Sequence, residues 1–205
     1  MALRADNFLL NHLCVAIALM IVACACNQDK GSGNRTVENR QCGVFDKVEL
    51  TGVAQLDLRV EAASANDRIV ITGDDDLVPL FTSPVIKGQL FLKLQGGKKI
   101  PNLPLQASAV VEKLTAVKIT GAGTLKATGV AGPAFKLEIS GAGAATVTGE
   151  VEDLEVTLSG AASVNLAKLK AKRVKVVVSG AAKAEVHATE SLDVQVSGAA
   201  SVRYA

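Results

Sequence analysis

Five segments, VKITGAG (117–123), LEISGAG (137–143), VTLSGAA (156–162), VVVSGAA (176–182) and VQVSGAA (194–200), repeat one pattern. Their central glycines, Gly121, Gly141, Gly160, Gly180 and Gly198, lie 20, 19, 20 and 18 residues apart. A period of this length marks a stack of supersecondary units. Aligned on the glycines, the columns alternate. Two residues before Gly stand Ile119, Ile139, Leu158, Val178 and Val196, and four before stand Val117, Leu137, Val156, Val176 and Val194. Six before stand Thr115, Phe135, Leu154, Val174 and Leu192. Past the glycine the inward columns resume with Leu125, Ala145, Val164, Ala184 and Val202, then Ala127, Val147, Leu166, Val186 and Tyr204. Period-two alternation rich in β-branched residues specifies strands with one buried face.

One such unit cannot bury its apolar row alone. Stacked units about 4.8 Å apart can, because each backbone pairs with the one above and below. The expectation is therefore all-β: a single-stranded parallel β-helix, or β-solenoid, with coils of about 18–20 residues over 114–205. Small residues at the Ser-Gly-Ala corner suit a turn that recurs every coil. A β-sandwich, the main rival, would want different turns at a shorter spacing. In this register Lys136, Glu155, Lys175 and Asp193 occupy one outward column and form a ladder of alternating charge, a structural feature with no ligand role required.

The first half is less regular. Residues 44–62 alternate, with Val48, Leu50, Leu56, Leu58 and Val60 able to face inward. Arg68 to Thr72 reads as a strand, 85–94 as a turn and strand, and 98–106, with Pro101 and Pro104, as a loop. This half is expected to form irregular opening coils and to cap one end of the stack. The F-x-x-V-x-L-x-G opening (Phe45, Val48, Leu50, Gly52), the run Gly73 to Pro79 (GDDDLVP), Lys87 to Leu90 (KGQL) and the S-G-A-G repeats together resemble the bacterial head GIN domain family. Those proteins are described as putative adhesins with a domain of unknown function. The resemblance covers 44–205 and departs from the family at Asp76, where Asn is common, and at Leu77-Val78, where two Leu are common. It implies an exported β-helical domain of adhesin type and brings no established ligand.

Ahead of that domain, a weakly basic start (Arg4) precedes a nearly continuous apolar run from Phe8 to Ala23. The run is short for a permanent span and suits a signal-peptide core over 1–23. It ends in Ile21-Val22-Ala23-Cys24, which resembles a bacterial lipobox. That resemblance implies cleavage before Cys24, a thioether to diacylglycerol, acylation of the new amine, and sorting to the outer membrane because Ala25 follows. Acyl chains gain about 0.8 kcal/mol per buried methylene, so several give durable anchoring. Residues 24–43 then read as the lipidated Cys and a flexible polar tether. Cys26 and Cys42 remain in an oxidising compartment, where a bridge and two separate thiols are equally open readings.

Composition narrows the function. The 22 Lys+Arg nearly balance the 20 Asp+Glu, for a net charge of +2, and aromatics are 3% with no Trp. Nucleic acid is thus disfavoured as a partner, both as a polyanion and as a stack of bases. His12 lies in the expected leader, which leaves His187, on an outward column, without a Cys or second His nearby, so imidazole catalysis and metal sites lose their basis. No cofactor motif is present. Asp74, Asp75 and Asp76 form the one acidic run and the weak candidate for a metal. Without calcium-loop spacing they read better as a solvated turn bonding local N–H groups. Lys168, Lys170, Lys172, Arg173 and Lys175 form the densest basic stretch, a weak binding candidate diluted by Glu155, Glu185 and Asp193 in neighbouring coils. The corner serines (Ser140, Ser159, Ser179, Ser197) have no activating base.

The best-supported reading is a non-enzymatic envelope lipoprotein, anchored through its lipid, presenting a β-helical surface to a glycan or protein. A structural or assembly protein acting by self-association is the alternative. A polysaccharide-processing enzyme comes third, for want of a convergent carboxylate group. The repeats run out at Ser201 to Ala205 with only Tyr204, at an inward column, able to lie over the exposed coil. That end is expected to be covered by a second copy or a partner.

Overall fold

The computed structural model describes residues 30–62, 68–96 and 101–204. They form one sheet of 14 strands and a single short 3-10 turn, Val78–Leu80. The fold is all-β, as the alternation requires.

The repeats build strands β10 (Thr124–Gly141), β11 (Ala144–Gly160), β12 (Ser163–Gly180) and β13 (Lys183–Ser197). Neighbours pair in parallel over most of their length. Gly141 lies opposite Gly160 and Gly160 opposite Gly180. The charge ladder forms in the expected register, Lys136 beside Glu155, Glu155 beside Lys175 and Lys175 beside Asp193. The inward columns are buried from Val117 to Val186 and belong to one continuous core that begins at Phe45. In β12 the buried residues Val164, Leu166, Leu169, Ala171, Val174, Val176 and Val178 alternate with exposed ones. The alternation skips at 167–168 and 172–173, where two consecutive residues point outward. With the Ser-Gly-Ala corner these skips break the alternation of the β12 repeat into three stretches.

At the corner, the N–H groups of Ala142, Ala161 and Ala181 each donate to the preceding unit's glycine carbonyl at 2.9 Å. The second small residue of the corner is Gly where Ile precedes it and Ala where Leu or Val does. A Cβ on Gly143 would lie 2.8 Å from the Ile139 Cγ2 atom. Ala162 and Ala182, which follow Leu158 and Val178, are buried.

The sheet is mixed, not the wholly parallel single-stranded β-helix that the repeats predict. The first half contributes β2 (Lys47–Gly52), β3 (Gln55–Val60), β7 (Gln89–Leu94), β8 (Gln106–Val111) and β9 (Ala116–Gly121), all joined in parallel. β4 (Arg68–Asp74) runs antiparallel to β8, and the two-residue strands β5 (Phe81–Thr82) and β6 (Val85–Ile86) run antiparallel to β7. Nor does stack order follow chain order. β2 lies between β7 and β9, and β3 between β8 and β10. The unit at 47–60 is thus second in the stack, and the later segments 89–94 and 106–111 slide beneath it. The first half does cap one end.

The expected tether is partly strand. β1 (Arg35–Gln41) pairs antiparallel with all of β4. Its half-exposed alternation carries polar residues on both sides, so no apolar pattern reveals it. Arg40 fastens it, donating from Nη2 to the Val78 carbonyl at 2.7 Å, from Nη1 to the Phe81 carbonyl, and to Glu38 at 2.8 Å. Cys42 is half-buried against the core. Cys24, Cys26 and the expected leader lie outside the described residues.

The acidic triplet is likewise not the solvated turn that its composition suggests. Asp74 is fully buried. Its Oδ1 accepts from the Gly33 N–H at 2.9 Å, and its Oδ2 from the N–H groups of Asn102 and Leu103 at 2.8 and 3.1 Å. Ser32 donates its N–H to the Asp76 carboxylate at 3.0 Å and its hydroxyl to Asp75 at 2.5 Å. The triplet therefore ties the segment before β1 and the loop before β8 to the end of β4. Its partners are distant in sequence, which is why local reasoning missed them.

Candidate binding groove

Each of β10 to β13 crosses the skip in alternation between two faces. There one outward column, Ala134, Asp153, Arg173 and Ser191, runs beside a second, Lys136, Glu155, Lys175 and Asp193. Outward columns two residues apart stand about 7 Å from each other. Between them the backbone of Phe135, Leu154 and Val174, whose side chains point into the core, forms a floor. Thr115 and Pro133 complete the lining. The result is an open groove of about 470 Å³ that runs across the strands, parallel to the stack.

Its walls carry compensated charge. Arg173 makes a two-pronged ion pair with Asp153, Nε to Oδ1 at 2.6 Å and Nη2 to Oδ2 at 2.7 Å. That hydrogen bonding holds the Asp153 carboxyl below its ordinary range and raises Arg173. Lys136 lies 3.0 Å from Glu138 and 3.7 Å from Glu155, and its hydrogen bond to Glu138 is the main cause of its raised pKa. All of these groups are exposed, so the pairs order the walls more than they stabilise the fold.

The basic stretch expected from sequence does not form a single patch. Lys168, Lys170 and Lys172 flank the buried Leu169 and Ala171 on one face, whereas Arg173 and Lys175 lie past the skip, in the groove. Lys172 pairs with Glu152 at 3.1 Å, and Lys170 stands in register with Glu150. The partners Glu152 and Asp153 were missed because they sit at the skip, outside the aligned columns. His187 is half-buried in register with Lys170. The corner hydroxyls of Ser140, Ser159, Ser179 and Ser197 line up on an exposed edge. Among the described residues no group of three or more His, Cys, Asp or Glu is placed to hold a metal ion.

No curated protein sequence matches this chain. Solved structures do. It is similar to a putative adhesin from Bacteroides fragilis at 15% identity and a TM-score of 0.68, covering 86% of this chain and 99% of the other. A putative adhesin from Parabacteroides merdae is 15% identical with a TM-score of 0.56, covering 86% and 98%. A protein from Parabacteroides distasonis described as a putative lipid binding protein is 14% identical with a TM-score of 0.56, covering 86% and 98%. At such identities the likeness concerns the fold. The sequence itself matches one family over residues 44–205, the span in which the repeats, the β4 cap and the groove all lie, and the chain belongs to that family, "putative auto-transporter adhesin, head GIN domain".

Proposed function

We propose that this chain is a non-enzymatic envelope binding protein, a β-solenoid that holds an extended polymer in the groove along its stack. The observation that carries the reading is the groove's repetition. The same wall and floor backbone positions recur at every strand spacing, about 4.8 Å, so an extended polymer meets a surface of regular geometry, with side chains that vary along it. Along the wall, Lys136, Glu155, Lys175 and Asp193 alternate in sign, and Asp153 neutralises Arg173. Such a wall suits a neutral or zwitterionic glycan and gives no net field for a polyanion. The four strands span about 14 Å, so affinity is expected to rise with oligomer length and level off once that span is filled. A glycan array printed with neutral, zwitterionic and polyanionic chains of graded length tests this. Length-dependent binding of the first two classes, changing little with salt, supports it. Preference for polyanions that fades steeply with salt, or binding to proteins alone, would overturn it.

The lipid anchor belongs to the same reading. The lipobox-like Ile21 to Cys24 supports an outer-membrane lipoprotein; Cys26 and Cys42 follow it in an oxidising compartment, where a bridge between them and two separate thiols are equally open. Cys24→Ser is expected to abolish palmitate labelling and to leave a precursor that still carries residues 1–23. Unchanged labelling would show that the acceptor lies elsewhere.

A further inference from the structure

A second cavity, of about 500 Å³, lies on the outer face of β1, β4, β8 and β3 and shares no lining residue with the groove. Register sets its side chains in two rows. Asn39, Val70, Ser108 and Asp57 form one, each paired with the next across neighbouring strands. In the other, Val110 is paired with Arg59 and lies across from Arg68, one residue past the Ile69–Ala109 pair. The two valines depart from the pattern of an outward row. On the strands that follow, the first row continues with Lys126 and Thr146 and the second with Thr128. Val70 and Val110 are instead half-buried and line the cavity. Its charges are also uncompensated. Among the described residues no ion pair or side-chain hydrogen bond engages the exposed Asp57, Arg59 or Arg68, whereas Arg173 and Asp153 of the groove hold each other.

We propose that this cavity binds a terminal hexuronate, one pyranose ring bearing one carboxylate. Arg59 and Arg68 flank Val110 two strand spacings apart, about 9.6 Å, so both guanidiniums can reach a single carboxylate held above that valine. Guanidinium forks match carboxylate oxygens in geometry as well as charge. The C–H face of the ring covers Val70 and Val110 and takes their apolar surface out of water. The ring hydroxyls donate to Asp57, and Ser108 and Asn39 can both donate and accept. Each uncompensated group thus meets a partner of matching chemistry, in a cavity of the size that holds a small ligand. Asp57 also sets the selectivity. It stands two residues from Arg59 and repels a second anion beside the first, so the site takes one acid sugar and not a polyanion. The two arginines oppose an ammonium group in turn, which disfavours an amino acid.

The test is an NMR titration of the full chain, in a detergent without a sugar headgroup, with methyl glucuronide, its neutral twin methyl glucoside, and acetate. Wild type is expected to bind the glucuronide about tenfold more tightly than either of the others. Arg59→Gln and Arg68→Gln are each expected to remove most of that advantage with melting temperature unchanged, since both side chains are exposed. Asp57→Asn is expected to narrow the margin of glucuronide over acetate, because the small anion loses a repulsive neighbour while the sugar loses an acceptor. The site goes beyond the groove reading, and Ala134→Trp, which fills the groove, is expected to leave glucuronide binding unchanged. No binding by wild type, equal affinity for glucuronide and either acetate or glucoside, or arginine variants that bind as wild type would overturn the proposal. So would loss of glucuronide binding in Ala134→Trp, which would place the sugar in the groove.

Discussion

Gly160→Val is expected to lower the melting temperature by about 10 °C, whereas Thr157→Val, three residues earlier, leaves it within about 2 °C. Gly160 has φ +110°, and a Cβ there would lie 2.6 Å from the Gly141 carbonyl oxygen. That oxygen is already held by the Ala161 N–H at 2.9 Å, so it cannot retreat without loss of a hydrogen bond between units. The backbone conformation alone costs about 1–3 kcal/mol for a residue with a side chain, and crowding a packed backbone adds about as much again. In a domain of this size each kcal/mol moves Tm by about 2–4 °C. Thr157 instead lies half-exposed between Glu138 and Val177 on neighbouring strands, a site where substitution stays within about 0.5 kcal/mol. Differential scanning calorimetry of the two variants decides. Equal melting temperatures would contradict the alignment of the glycine corners.

The second large effect is expected at the capped end. Asp74→Asn should destabilise the domain by about 2–4 kcal/mol, although it changes one atom. Three backbone N–H groups, those of Gly33, Asn102 and Leu103, converge on the buried carboxylate. An amide has a single acceptor oxygen, so in either orientation its NH₂ faces at least one of these donors. The loss is a charge-assisted bond and a buried donor left unpaired. Asp74→Ala removes all three acceptor contacts and is expected to cost more. Amide exchange at Gly33, Asn102 and Leu103 should accelerate in Asp74→Asn even under conditions where the glycine corners stay protected. An Asp74→Asn variant as stable as wild type would show that the triplet does not hold the cap.

The contrast between these two sites also shows what the sequence made legible. The corner could be read because repetition writes each structural demand several times, once per unit. Inward columns, the charge ladder and the glycine row all follow from one alignment. The cap is written once. Asp74 finds its partners 28 to 41 residues away, β1 has no apolar face, and β4 runs antiparallel, so neither period nor spacing betrays them. The insertion of 89–94 and 106–111 beneath 47–60 likewise leaves no local trace, because both orders bury the same apolar rows. The groove is legible only as a column: the repeats put Lys136, Glu155, Lys175 and Asp193 in one outward row, a structural ladder with no groove implied, and the Asp153–Arg173 wall lies where alternation skips, so a strictly period-two reading passes over it.

Filling the groove tests whether the ligand lies along it. Ala134 is exposed beside the floor, next to Asp153 in the adjoining strand, whereas Thr146 is exposed on a different face of the stack. The measurement is the affinity of Ala134→Trp, against that of Thr146→Trp, for the longest chain retained on the glycan array. Ala134→Trp is expected to lose at least tenfold in affinity, about 1.4 kcal/mol, with melting temperature unchanged and Thr146→Trp binding as wild type. Equal affinity of the two variants would place the ligand elsewhere and contradict the claim.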